Sequence, residues 1–445
     1  MNDLNEEQQK AVLSESNSIA IVAGPGTGKT KTLTSSIEYL IKNKKVPPDK
    51  ILALTFTKKA AKEMKDRLQV KQKPFVGTFH ALALYLLKIE PNIITKEQQL
   101  EIVTKQDLKQ ISTSKNNLKD TELVKKYNQK LQELNLKDYD DLLLMLYKEL
   151  KIINLKLKID YVLVDEFQDT NPLQYKILRL LKAKNYFVIG DPNQSIYGFR
   201  GTNEKIFDDF YKDYPDTLNF TLTKNYRSTP KVTDTYNLLF ENKLTSVRQD
   251  LGEVYLLETL NEFSEADWIV NFIKQKAGGL DLRDASEANA NFSDFAILYR
   301  THHFSRILQK KFEESGIPFQ IVGGESATEN QQIEDLIKIN CVTLLTMHAS
   351  KGLEFEYVFL CGCEQGLIPY KKSDLDEEKR LFYVALSRAR RGLYLTKAKI
   401  RSNKPKKQSQ FLDNLNLEIK SDEEAAKKEQ RVKLHKLKKS QLSMF

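Results

Sequence analysis

Ala23-Gly24-Pro25-Gly26-Thr27-Gly28-Lys29-Thr30 is the run that decides how the first half of this chain is read. An apolar stretch, Ile19-Ala20-Ile21-Val22, precedes it, and Leu33, Ile37, Leu40 and Ile41 follow at helical spacing. Strand, glycine-rich turn and helix make the setting of a phosphate-binding loop. Backbone N–H groups over Gly24, Gly26, Thr27 and Gly28 and at the helix start point at phosphate oxygens. Lys29 reaches the β- and γ-phosphates, and the Thr30 hydroxyl is offered to Mg²⁺. The strict pattern has glycine where Ala23 stands, a one-position departure. A nucleoside triphosphate is the expected ligand; the loop alone does not say what its hydrolysis drives.

Further along, Tyr161-Val162-Leu163-Val164 runs into Asp165-Glu166-Phe167-Gln168-Asp169-Thr170. Two carboxylates at the end of a buried strand are costly unless a cation meets them. Asp165 suits Mg²⁺, and Glu166 suits polarising an attacking water. A third strand end, Tyr186-Phe187-Val188-Ile189-Gly190, leads into Asp191-Pro192-Asn193-Gln194-Ser195-Ile196-Tyr197-Gly198-Phe199-Arg200-Gly201. Gln194, neutral with both donor and acceptor, has the character of a γ-phosphate sensor. Tyr197, Phe199 and Arg200 interleave aromatics with a cation, as a single-strand stacking platform does. Phe56, at the end of Ile51-Leu52-Ala53-Leu54-Thr55 and before Lys58-Lys59, has two readings: a base-stacking ring, or a core residue ahead of a basic helix. Gln8, on an N-terminal helical segment, reads by itself as a surface residue.

Composition sets the frame. The 445 residues allow two or more domains with real cores, and a net charge of +10 biases the chain toward polyanions, nucleic acid first. The opening Met1-Asn2-Asp3-Leu4-Asn5-Glu6-Glu7 lacks the features of a signal peptide, and no apolar run approaches the ~20 residues that span a bilayer, so no membrane role and a cytoplasmic location are expected. The three cysteines, Cys341, Cys361 and Cys363, are too few for a disulfide framework; the pair around Gly362 reads as a strand end rather than half a zinc site.

The order and wording of these segments resemble the UvrD/Rep/PcrA-type superfamily 1 DNA helicases. The resemblance rests on Leu4-Asn5-x-x-Gln8, the phosphate loop, Thr55-Phe56-Thr57-Lys58-Lys59-Ala60-Ala61, Gly77-Thr78-Phe79-His80, and the runs from Val164 to Thr170 and from Gly190 to Gly201. It continues through Asn225-Tyr226-Arg227-Ser228, Ile297-Leu298-Tyr299-Arg300, Leu345-Thr346-Met347-His348-Ala349-Ser350-Lys351-Gly352-Leu353-Glu354-Phe355 and Glu377 to Ala389. The resemblance implies an α/β fold of two tandem RecA-like P-loop NTPase domains, with a helical insertion in the first. It implies ATP and Mg²⁺ as cofactors and 3′→5′ movement on single-stranded DNA, with 3′-tailed duplex as a further substrate. By position, Gln8 would read the adenine, Tyr226 stack on it and Glu354 approach the ribose, while Arg227 and Arg388 would serve as two arginine fingers. Lys31 stands where relatives usually carry arginine against the adenine. It keeps the charge but not the planar face, which implies looser preference for ATP over GTP. DNA contacts would be Phe56, His80, Tyr197, Phe199, Arg200 and His348, with Phe199 replacing the usual tryptophan.

The expected organisation is residues 1–80 and 159–217 as the first ATPase domain, 81–158 as its glycine-free helical insertion, and 218–397 as the second domain. Strands are expected there at Phe295–Tyr299, Phe319–Val322, Val342–Thr346, Tyr357–Leu360 and Leu393–Thr396, with an exposed loop over Ala277–Ala290. Only residues 325–341 stand where full-length relatives insert a large helical subdomain. Their shortness implies either a monomer that cannot adopt the family's closed, self-inhibited arrangement or a translocase that unwinds poorly without a partner. Residues 398–440 read as a basic tether, and Gln441-Leu442-Ser443-Met444-Phe445 resembles the peptide by which bacterial repair proteins dock on the sliding clamp: Leu442, Met444 and Phe445 for a pocket, Gln441 as anchor. The expected function is an ATP-dependent 3′→5′ DNA helicase. The alternatives are a translocase that strips proteins from single strands and a clamp-docked scaffold with weak ATPase.

Overall fold

The computed structural model of the chain describes residues 3–153, 158–198, 205–240, 243–277, 290–323, 340–371 and 373–421. They form two compact units that divide between Lys224 and Asn225.

Unit 1 runs α1 (Glu6–Leu13), β1 (Ser18–Ala23), α2 (Lys29–Lys42), β2 (Ile51–Leu54), α3 (Lys58–Arg67), β3 (Phe75–Gly77), α4 (Phe79–Leu87), α5 (Lys96–Ile102), α6 (Lys105–Asn116), α7 (Glu122–Glu133), α8 (Tyr139–Ile153), β4 (Tyr161–Val164), α9 (Pro172–Leu180), β5 (Asn185–Gly190), α10 (Ile206–Asp213) and β6 (Leu218–Leu222). The strands form one parallel sheet in the order β3-β2-β4-β5-β1-β6. Because successive side chains alternate faces, Ile19 and Ile21 of β1 enter one buried core with Leu33 and Ile37 of α2, while Ala20 enters the other. Both faces are thus covered, as a parallel sheet requires. Residues 81–153 of the expected insertion are mostly helical, with a small core of their own around Ile111, Val124, Tyr127 and Leu131.

Unit 2 holds β7 (Lys224–Asn225, shared with the boundary), α11 (Pro230–Phe240), β8 (Thr245–Ser246), β9 (Glu253–Asn261), α12 (Glu262–Lys276), β10 (Phe295–Tyr299), α13 (Ser305–Ser315), β11 (Phe319–Val322), β12 (Val342–Thr346), β13 (Phe355–Leu360), α14 (Leu375–Leu386), β14 (Ala389–Arg401), β15 (Lys404–Pro405) and β16 (Glu418–Ser421). Its main sheet is ordered β11-β12-β10-β13-β14-β9-β16. The five expected strands are present. Cys361 and Cys363 are free and buried at the end of β13, and burial pushes both thiols up. Most of the expected loop over 277–290, and residues 324–339, lie outside the described residues.

Two expected boundaries move. Leu218–Leu222 does not open the second domain; it pairs in parallel with β1 and completes the first sheet. As an edge strand it is half exposed, so it lacks the apolar run by which buried strands are recognised. Nor does the chain become a tether at 398. Arg401, the last residue of β14, is buried between Glu265 and Glu364 (Nη2 to Oε2 and Oε1, 2.7 Å each), and Glu418–Ser421 adds a strand to β9. The basic residues around it pair with carboxylates, Lys397 and Lys399 with Glu258.

Candidate functional site

In unit 1 the loop between β1 and α2 takes the form its glycines demand. Gly26 and Gly28 lie at φ +72° and +85°, in the left-handed region, and a Cβ on Gly28 would stand 2.7 Å from Nε2 of Gln8. Thr27 Oγ1 donates to the Gly24 carbonyl at 2.8 Å. α2 starts at Lys29 with no side-chain cap, which leaves its first N–H groups and the positive end of its dipole facing the loop. Gln8 is buried rather than on the surface. Its Nε2 donates to the Thr27 carbonyl at 2.9 Å and its Oε1 accepts from Asn5 N–H at 3.1 Å, so it holds the loop against the capped start of α1. Lys31 is exposed and donates to the Asp3 carbonyl at 2.5 Å.

The carboxylates stand where the sequence puts them. Thr30 Oγ1 donates to Asp165 Oδ2 at 3.3 Å, and Lys29 Nζ lies 3.3 Å from the Ala23 carbonyl and 4.0 Å from Glu166 Oε1. Burial, and then the neighbouring Glu166, push Asp165 up to about 7, against the pull of Lys29. A hydroxyl and a carboxylate oxygen are hard donors of the kind Mg²⁺ prefers, and a buried carboxylate in need of positive charge fits that ion. Glu166 itself sits at φ +51°, a conformation that costs a non-glycine residue on the order of 1–3 kcal/mol. Asp165 Oδ1, accepting from Glu166 N–H at 3.0 Å, and Gln168 Nε2, donating to Glu166 Oε2 at 2.6 Å, hold it there.

Gln168 is the residue that sequence reasoning passed over. It is buried, and its Oε1 accepts from Asp191 N–H at 2.9 Å while its Nε2 grips Glu166. Gln194 Nε2 donates to Asp191 Oδ2 at 2.6 Å. One amide therefore joins the Glu166 carboxylate to the loop after β5. The close fit at Gly190, where a Cβ would come within 2.2 Å of Gln168 Oε1, is the only signal the sequence carries for it.

The aromatics lie along the same rim. Phe56 and Tyr197 are half-buried and stack on each other, centroids 5.2 Å and planes 15° apart. Phe56 is thus a ring at the surface, not a member of the core. His80, in the first turn of α4, meets the ring of Tyr139 edge-on at 5.7 Å. Burial, the largest influence, and Lys58 hold its imidazole below the usual histidine range, against Asp140. Tyr139, 40% exposed, is a second aromatic the sequence reading left without a role. Phe199 and Arg200 lie outside the described residues, as do Gln441, Leu442, Met444 and Phe445.

Unit 2 gathers the other residues. Ser228 Oγ donates to the Ala389 carbonyl at 2.7 Å and Phe355 N–H to the Arg388 carbonyl at 3.0 Å, which brings the Tyr226–Arg227 turn, Glu354 and Arg388 to one end of the sheet. Arg227 forms an ion pair with Glu354 at 2.5 Å. Burial raises the Glu354 carboxyl, but Arg227 and Arg390 outweigh it and hold the group below the usual range. Tyr226 is 45% exposed. Arg388 is buried, its guanidinium donating to the carbonyls of Val384 (2.9 Å) and Leu353 (3.0 Å) and to Ser387 Oγ (2.9 Å). His348 occupies the turn after β12. A glutamate–arginine pair beside an arginine held by backbone was not legible in the spacing of the motifs.

Comparison with known proteins agrees with this geometry. Residues 4–122 and 105–215 match the UvrD/REP helicase N-terminal domain, and 220–340 and 325–400 the UvrD-like helicase C-terminal domain. The chain belongs to the UvrD/REP helicase family. It is 32% identical over 395 residues to a probable DNA helicase II homolog of Mycoplasma capricolum, covering 75% of this chain and 54% of that protein. It is 31% identical over 394 residues to the ATP-dependent DNA helicase PcrA of Staphylococcus epidermidis, and 31% over 397 residues to that of Staphylococcus aureus, with 53% of each relative covered. The chain therefore spans about half the length of the curated relatives it matches. The two C-terminal matches meet inside 325–341, the short connection between β11 and β12. Among the described residues no helix is long and apolar enough to cross a membrane.

Proposed function

We propose that the chain is an ATP-driven DNA motor that moves 3′→5′ on single strands and opens 3′-tailed duplex. The observation that carries this is the shared rim of the first sheet. The phosphate loop, the two carboxylates, the Phe56–Tyr197 stack and His80 all follow the C-terminal ends of its strands, and Gln168 joins the carboxylate to the loop that leads to Tyr197. A change at the triphosphate can then pass through Gln168 to Asp191, at the head of the segment that leads to Tyr197, a ring that can stack on a base.

The residues divide the chemistry as follows. Loop N–H groups and Lys29 bind the phosphates. Thr30 and Asp165 would hold Mg²⁺, which supplies charge neutralisation at the phosphate oxygens when bound. Glu166, fixed by Gln168, orients the attacking water and accepts its proton, while Gln194 is the γ-phosphate sensor. Arg227 and Arg388 meet the charge that develops in the transition state. The three bonds on Arg388 favour a cation of fixed direction, and its pairing with Glu354 makes Arg227 the one that exchanges partners. Gln8 and Tyr226 contact the adenine, and Glu354 the ribose. Phe56, Tyr197, Phe199, Arg200, His80 and His348 form the DNA track.

The test is ATP turnover with and without single-stranded DNA, beside strand separation of 3′- and 5′-tailed duplexes. DNA should raise turnover, and only the 3′-tailed duplex should open. Lys29→Ala should abolish both while DNA binding survives; a variant that still hydrolyses ATP sinks the reading. The brevity of 325–341 favours a second reading, a translocase that displaces proteins and separates duplex poorly. Displacement of a bound protein without duplex opening would select it. For Gln441-Leu442-Ser443-Met444-Phe445 we propose docking on a sliding clamp, supported by residue character alone. Deletion of 441–445 should remove clamp binding and leave turnover intact.

A further inference from the structure

One buried polar chain of unit 1 has no part in the chemistry above. The last two residues of α6, Lys115 and Asn116, are both buried. Lys115 Nζ donates to Asp138 Oδ2 and Asp141 Oδ1, each at 2.7 Å, and so fixes the end of α6 on the start of α8. Asn116 then reaches in two directions. Its Nδ2 donates to Asp140 Oδ1 and to the Ser112 carbonyl, each at 3.0 Å, and its Oδ1 accepts from Asn171 Nδ2 at 2.9 Å. With Asp140 and Asn171 in place, neither amide is turned over. Asp140 and the Ser112 carbonyl only accept, so the Asn116 NH₂ must face them; Asn171 Oδ1 accepts from Gln174 N–H at 2.9 Å in the cap of α9, so its NH₂ must face Asn116.

The ends of this chain are the two ends of the proposed motor. Asp140 follows Tyr139, whose ring packs on His80. Asn171 stands two residues after the turn Phe167–Asp169, the segment that carries Gln168 and begins at Glu166. Hydrogen bonds in series reinforce one another, and losing the buried one between Asn171 and Asn116 leaves polar atoms of two buried side chains unsatisfied.

We propose that Asn116 is a positioning residue that couples DNA at the His80–Tyr139 end to the placement of Glu166 and Gln168, so that DNA raises ATP turnover through this amide. A strand pressed on His80 and Tyr139 bears on the first turn of α8. Asn116 transmits the displacement to the cap of α9, and the preceding turn follows. The inference rests on the DNA-stimulated ATPase proposed above.

The test uses the full chain, ATP, and an oligothymidylate as the single strand. Asn171→Asp keeps the oxygen that caps α9, at a position where aspartate is as good a cap, but sets an oxygen against Asn116 Oδ1. DNA stimulation should fall about tenfold, within the range of an ordinary coupling energy. Unstimulated turnover, the KM for ATP and oligothymidylate affinity should not change. Asn171→Asp combined with Asp140→Asn reverses the polarity of the chain: Asn116 turns over, donates to position 171 and accepts from position 140 and from the Ser112 hydroxyl, 3.3 Å from the amide nitrogen, giving up only its bond to the Ser112 carbonyl. Stimulation should then return, an outcome that a purely structural role does not produce. Full stimulation in Asn171→Asp, or no recovery in the double variant, overturns the coupling. A wild-type chain whose turnover ignores DNA overturns the functional reading, and the coupling with it.

Discussion

The segments that follow β1, β2, β3, β4 and β5 in unit 1 carry Lys29, Phe56, His80, Glu166 and Tyr197, all beyond the C-terminal ends of one parallel sheet. Unit 2 divides its residues between both ends of its strands. His348 follows β12, whereas Glu354 and Arg388 stand just before β13 and β14. The difference follows from which end of a helix faces each site. In unit 1 the N-terminus of α2, with unpaired N–H groups, awaits an anion. In unit 2 the C-terminus of α14 offers the Val384 carbonyl, and that carbonyl holds the Arg388 guanidinium. Under the function proposed above, the first arrangement suits receiving negative charge and the second suits presenting positive charge.

The largest effect should come from removing the presented charge. Arg227→Ala is expected to lower kcat by about 10³–10⁵, the range of an arginine finger, with single-strand affinity unchanged. A loss confined to the KM for ATP would break the comparison, since unit 2 would then bind rather than catalyse. Next are the buried ion clusters, one in each unit. Lys115→Met leaves Asp138 and Asp141 without their cation, and Arg401→Met does the same to Glu265 and Glu364. Each should cost about 3–5 kcal/mol, read by hydrogen exchange in the unit concerned. Little change for Arg401→Met would mean that residues 398–421 add nothing to unit 2. A smaller loss, about 1–3 kcal/mol, is expected for Gly190→Ala, because the new methyl meets Gln168 and the Phe167 backbone. The smallest effect concerns pH. His80 is held below 6.5 in the folded chain, so its contribution is complete above that pH and is lost as pH falls toward the folded value. Denaturant unfolding between pH 7 and 5 should show a steeper loss for the wild type than for His80→Gln, at most about 1.4 kcal/mol per pH unit.

Much of this was legible in the sequence, for a physical reason. Buried parallel strands are apolar on both faces, so β1, β2, β4, β5, β10 and β12 announce themselves, and loops that bind phosphate need glycine and lysine at fixed spacing. The half-exposed strand β6 carries no such run, and β9 alternates too weakly to be seen. Within the candidate site, Lys29, Thr30, Asp165 and Glu166 are named from the sequence because the roles proposed for them are local. Gln168 was missed because its role is a relation between Glu166 and Asp191. Lys115, Asn116 and Asp140 lie in the helical insertion, where no motif marks them; the packing of α6 between α8 and α9 brings them together.

The position of β9 has a consequence for synthesis. Residues 253–261 lie between β14 and β16, neighbours that leave the ribosome roughly 140 or more residues later. The first sheet, by contrast, has all its strands once residue 222 has emerged. Unit 1 can therefore fold during translation, while β9 waits with both edges unpaired until the last strands arrive. A nascent chain stalled before residue 389 should protect unit 1 from protease and leave β9 open to it.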